Sequence, residues 1–96
     1  MLVDSNEVRL LTEIGFLASA RGDTRRAQRI FDALERIRPA NAAVYVGLAL
    51  AYLNRGDADE ALRVLDRGLL SVAAADVDVF VLHAFRAIAF QFAGRS

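Results

Sequence analysis

His83 is the only imidazole in this 96-residue sequence, the side chain type best suited to act as a base or a metal ligand near neutral pH, and it stands alone. No cysteine and no second histidine accompany it, so a zinc site or a nucleophile–histidine pair lacks its other members. A lone histidine inside an apolar helix reads as a packed or rim residue. Asp57, Asp59 and Glu60 bring three carboxylates close together, the makings of an acid–base or cation site. At the start of a helix the same three serve as a cap and as complements to the helix dipole, and that reading is preferred. Arg21, Arg25, Arg26 and Arg29 form the densest basic cluster and invite a phosphate-backbone reading. Asp23, Asp32 and Glu35 are interleaved with them, Arg29–Asp32 and Asp32–Arg36 stand at helical pairing distance, and no aromatic side chain among them offers a base a platform. A solvated outer face fits better than a nucleic-acid site. No glycine-rich phosphate loop follows a strand, because no segment reads as a strand. The expectation is a chain that is not an enzyme and needs no cofactor or metal.

The elements that would have to position such groups are consistent with this. Twelve basic and twelve acidic residues cancel, leaving no global field for nucleic acid or an anionic membrane. The chain is 55% hydrophobic with a mean hydropathy of +0.30, and it is long enough for one modest core, a single domain over 1–96. The start, Met1-Leu2-Val3-Asp4, lacks the basic region and apolar stretch of a signal peptide. The longest apolar run, Ala42 to Leu53, is too short to span a bilayer. A soluble, cytoplasmic chain with no membrane insertion is expected.

Apolar residues recur at helical spacing. Leu10, Leu11, Ile14, Leu17 and Ala18 lie along one stripe, and Ala27, Ile30, Phe31, Leu34 and Ile37 along another. Asp4 with Glu7 has capping-box spacing, Asp23 caps a second helix, and Asn41 caps a third after Pro39. Asp57 with Glu60 repeats the capping-box spacing for a fourth, and Asp76 is placed to open a fifth. Laying Arg21-Gly22-Asp23 over Arg55-Gly56-Asp57 gives a shift of 34 residues. Under it Leu11 falls on Tyr45, Ile14 on Leu48, Ala18 on Tyr52, Ala27 on Ala61, Phe31 on Leu65 and Leu34 on Gly68. Two helix-turn-helix units follow, over 8–41 and 42–75.

That period and those residues resemble the tetratricopeptide repeat. The matches are Leu11, Ile14-Gly15, Gly22, Ala27, Phe31 and Pro39, then Tyr45, Leu48-Ala49, Tyr52, Gly56, Ala61 and Leu65. Ala18, Leu34, Gly68 and Ala73 depart from the pattern. Residues 77–93 read as the first helix of a third unit without its partner, with Gly94 aligned on Gly56 and Arg86 on the Leu48 position. The expected fold is all-α, a short array of about two and a half repeats in five helices.

The resemblance implies a protein-binding module whose concave face is lined by the first helix of each unit. Carried over position by position, the partner-binding groove comprises Phe16, Val46, Leu50, Leu53, Asn54, Ile88 and Phe92. The Lys, Arg and Asn of a carboxylate clamp are largely missing, and an apolar groove suits an amphipathic helix. The competing reading, that Val46, Leu50, Leu53, Phe16 and Ile88 are core in a tightly wound array, stays open. The terminal helix is apolar nearly all round, whereas a capping helix needs a polar outer face. Phe80, Phe85 and Phe90 therefore mark a terminal-helix interface, where burying two phenylalanines stabilises by about 3–6 kcal/mol.

Among small members of the family the chain resembles cytoplasmic chaperones of bacterial type III secretion, through Glu13-Ile14-Gly15-Phe16-Leu17 and the Ala27…Phe31-Asp32-Ala33-Leu34 helix. That resemblance implies a virulence-related chaperone holding the amphipathic helix of a needle or secreted component, often as a heterodimer with a small co-chaperone. The alternatives are a scaffold or adaptor module, or a self-associating repeat protein that forms a homodimer.

Overall fold

The computed structural model describes residues 4–73 and 76–94, which form five α-helices and no strand. They are α1 (Ser5–Ala20), α2 (Thr24–Ile37), α3 (Ala42–Asn54), α4 (Ala58–Ser71) and α5 (Val79–Phe92). The expected end of the second unit at residue 75 lies outside the described residues, as does the Met1-Leu2-Val3 start.

Side chains that satisfy free backbone groups set the helix starts. Asp4 accepts from the Glu7 N–H at 2.8 Å while Glu7 accepts from the Asp4 N–H, a closed capping box. Asp23, Asn41 and Asp57 accept from the N–H groups of Arg26, Ala43 and Glu60. At α4 the box is one-sided, because the Glu60 carboxylate is drawn instead to Arg63 one turn on. Asp76 does not cap α5. Its carboxylate takes the Asp78 N–H at 2.9 Å inside the preceding turn, and Asp78 occupies the cap position without a side-chain bond.

The helix ends repeat as well. Gly22 and Gly56 each adopt φ +80°, which lets the chain fold back so that the N–H groups of Asp23 and Asp57 reach the carbonyls of Ala18 and Tyr52 at 2.9 Å. Gly94, at φ +74°, donates to the Gln91 carbonyl as Gly22 donates to Ser19 and Gly56 to Leu53. The alignment of Gly94 on Gly56 therefore matches the backbone, with a shift of 34 residues from α1 to α3 and of 38 from α3 to α5.

The helices form two layers, α1, α3 and α5 side by side over α2 and α4, in a slab of 42 × 33 × 16 Å. Helix α3 is the centre of the core. Sandwiched among the other four, it buries Ala42, the whole of Val44–Ala49, and Ala51. That position explains why its sequence is apolar on every side. Close approach depends on missing side chains: the Phe31 ring of α2 lies so near Gly15 and Gly47 that a Cβ there would stand 2.8 and 2.2 Å from it. Tyr45 fills a second such gap against Gly68, and its hydroxyl donates to the Pro39 carbonyl at 2.5 Å. On the outer layer Arg67 of α4 grips Glu35 of α2 through Nε at 2.7 Å and Nη2 at 3.0 Å, and Arg86 of α5 reaches Asp66 of α4 at 2.7 Å. The latter pair accounts for an arginine at a position where Leu48 is apolar.

Asp32, half-buried on α2, has its carboxyl pushed above the ordinary range, chiefly by burial and further by Glu35; a hydrogen bond from Gln28 and the charges of Arg36 and Arg67 pull the other way. An acid with a raised folded-state pKa imposes no penalty below its unfolded value and a full one once the pH has risen through the folded value. Asp32→Asn is therefore expected to raise the melting temperature at pH 7, with the gain shrinking toward zero as the pH falls below the ordinary carboxylate range. A gain that is the same at both ends of that titration would assign the effect to something other than ionisation.

Candidate functional site

The inner layer presents a shallow groove along α1, α3 and α5. Its middle is a recess of about 210 Å³ bounded by Phe16 of α1, Ala42, Ala43 and Val46 of α3, and Asp78 and Val81 at the start of α5. A second recess of about 440 Å³ lies between the far halves of α1 and α3, lined by Phe16, Ser19, Ala20, Leu50 and Asn54. Phe16 is common to both and forms the ridge between them. A third, of about 350 Å³, extends the groove past Arg9 and Thr12 toward Arg38 and Asn41.

Each expected groove residue has a definite place. Phe16 is half-buried, its ring edge-on to Phe31 at 5.0 Å and 66°, so the core fixes its orientation while part of it faces the groove. Leu50 and Leu53 are half-buried and pack against the core. Val46 is 9% exposed and forms the floor of the central recess. Asn54 is exposed at the groove's end, where its side-chain amide donates to Ser19 Oγ at 3.0 Å and to the Ser19 carbonyl at 3.4 Å. It thereby ties α3 to α1. Ile88 and Phe92 lie further along α5, 42% and 71% exposed.

The three phenylalanines assigned to a terminal interface are divided by the fold. Phe80 is 71% exposed, whereas Phe85 and Phe90 are half-buried and pack against the core. The open apolar surface of α5 consists of Phe80, Val81, Ile88 and Phe92. Sequence reasoning missed Ala42 and Asp78 in the central recess. Both flank turns that bring α3 and α5 together, and nothing in a 34-residue period announces where such ends meet.

The residues that first suggested chemistry are scattered. His83 is exposed on α5, Asp57, Asp59 and Glu60 open α4, and no group of three or more His, Asp or Glu side chains among the described residues is placed to hold a metal ion. The arginine cluster is divided between the end of α1, which carries Arg21, and α2, which carries Arg25, Arg26 and Arg29, with Arg26 3.5 Å from Asp23. No helix among the described residues is long and apolar enough to cross a membrane.

The family model described as a tetratricopeptide repeat matches residues 18–78, more than half of the chain. No curated protein and no solved structure matches the sequence.

Proposed function

Because the chain belongs to the tetratricopeptide-repeat family, a family of protein-interaction modules, we propose that its concave groove holds an amphipathic helix of a protein partner, as cytoplasmic chaperones of bacterial type III secretion do. The observation that supports this most is the Phe16 ridge between two recesses, flanked by Val46 and Leu50 and short of charged side chains. Anchors one helical turn apart on a ligand helix would fill such a pair of hollows. Occupying an aggregation-prone helix removes it from self-assembly by mass action, and this is all the mechanism a holding chaperone requires. The client would be a needle or secreted component, met in the bacterial cytoplasm, with or without a small co-chaperone.

A second reading, self-association through α5, is favoured by the two phenylalanines that stand 71% exposed on that helix, Phe80 and Phe92. A scaffold or adaptor would use the same groove on a partner that is already soluble. Light scattering on the chain alone and co-expressed with its genomic neighbours separates the three. A defined hetero-complex that rescues an insoluble partner supports the chaperone, a complex with a soluble partner supports the adaptor, and a homodimer indifferent to every neighbour supports self-association. Within such a complex, Leu50→Glu is expected to keep the helical circular-dichroism signal and to weaken partner binding at least about a hundredfold, because a carboxylate is forced into an apolar contact. Unfolding of the variant would place Leu50 in the core and sink the groove assignment there.

A further inference from the structure

The repeat exposes an inconsistency at the other side of α1. In α3 the residues Val44, Leu48 and Ala51 form a fully buried face. The helix laid on it is α2: Phe31 sits against Gly47, Ala27 clusters with Ala51, and Arg55 at the end of α3 donates to the Gln28 side chain. In α5 the corresponding Leu82 and Ala89 are fully buried, and Arg86 between them pairs with Asp66 of the preceding helix α4. In α1 the corresponding residues are Leu10, Ile14 and Leu17. They are just as apolar, yet 57%, 40% and 56% exposed. Arg21, the counterpart of Arg55, stands exposed and lines a recess of about 420 Å³ together with Ile14, Leu17, Ala18, Asp23 and Arg26.

We infer that this outer face of α1, remote from the concave groove, is a second docking surface that takes an amphipathic helix from a separate polypeptide, seated as α2 is seated on α3. The internal interface supplies the template for the occupant. It needs small or aliphatic side chains where α2 carries Ala27 and Leu34, and a hydrogen-bond acceptor where Gln28 meets Arg55, so as to meet Arg21. At one place it must differ from α2. Gly47, which leaves room for the Phe31 ring, corresponds to Glu13 in α1, and Glu13 is exposed. A ring there would press on a carboxylate, so the occupant carries a basic side chain instead. The ligand is thus an amphipathic helix with an acceptor and, three residues later, a Lys or Arg. This chain's own helices do not qualify: α2 and α4 are already packed within their units, and α5 has Gly94 instead of a basic residue three positions after its Gln91, has its Arg86 paired with Asp66, and lacks a division between apolar and polar faces.

The probe is a fluorescent peptide with the sequence of residues 23–38 and Phe31→Arg, held helical by a side-chain staple between positions 25 and 29, both exposed in α2. The charge at position 31 bars it from replacing α2 in the core. Titrated with the full chain, it is expected to bind saturably, at least about tenfold more weakly to Ile14→Asp and to Arg21→Glu, and with unchanged affinity to Leu50→Glu. A peptide that also carries Gln28→Arg should recover affinity for Arg21→Glu. Ile14 is exposed, so circular dichroism of Ile14→Asp should match that of the parent. Binding no better than that of a scrambled stapled peptide, or unaffected by Ile14→Asp, overturns the proposal. So does loss of binding in Leu50→Glu, which would place the peptide in the groove. A homodimer of the unliganded chain that Ile14→Asp dissociates would overturn it too, since the face would then be covered by a second copy.

Discussion

Phe31→Ala is expected to destabilise the fold by about 3–5 kcal/mol, near the upper end of that range. A domain of this size has about 5–15 kcal/mol in total, so much of the population would unfold at modest denaturant concentrations. The ring is fully buried, wedged between Gly15 on α1 and Gly47 on α3, with Phe16 edge-on beside it. Cavities cost least when neighbouring side chains swing in to refill them. Two walls of this one are glycines and have nothing to swing, so the void would persist. Urea denaturation followed by circular dichroism checks this: the midpoint should fall sharply with the slope unchanged, and Phe31→Leu should fall in between. A loss under about 1 kcal/mol would show that the ring does not wedge the layers together.

The reciprocal change approaches the same gap from the opposite wall. In an ordinary exposed helix, Gly47→Ala would stabilise by about 1 kcal/mol through helix propensity. Here the added Cβ would stand 2.2–2.4 Å from three carbons of the Phe31 ring. A rigid, fully buried ring cannot turn aside, so overpacking of about 1–3 kcal/mol or more outweighs the propensity gain and the variant should be less stable. The double variant Gly47→Ala with Phe31→Leu makes room for the methyl group. Its loss should fall short of the sum of the two single losses by about 1 kcal/mol or more, a coupling expected only of residues in contact. Additive losses would mean that the two positions act independently.

How much of this was legible beforehand differs from element to element. The turn Arg21-Gly22-Asp23 and its copy Arg55-Gly56-Asp57 named the helix ends outright, since a left-handed glycine followed by a capping aspartate is a local device that owes nothing to distant contacts. The stripe Ala27, Ile30, Phe31, Leu34 and Ile37 was legible for the same reason: α2 has one buried face and one wet one. Helix α3 was harder. Buried on every side, it carries no period to separate Val46 on the groove floor from Val44 under α2. The exposure of Ile14 was not legible, because its residue type matches that of Leu48 and only the presence or absence of a covering helix distinguishes them. Phe80, Phe85 and Phe90 look interchangeable in the sequence, yet rotation along α5 turns two of them toward the core and leaves one open. Asp76 was misplaced by two residues because its carboxylate closes a turn before the helix begins.

The order in which the helices touch has a kinetic consequence. Each helix meets only its neighbours in the chain, with α1 and α5 also reaching α3. No stretch of chain has to be closed over a long distance before packing is rewarded, and folds with such low contact order reach the native state in microseconds to milliseconds. The hairpin of α1 with α2 and the hairpin of α3 with α4 can each form early from local contacts, but α3 supplies the wall against which both ends come to rest. Zipping from either end therefore converges on the same thirteen-residue helix.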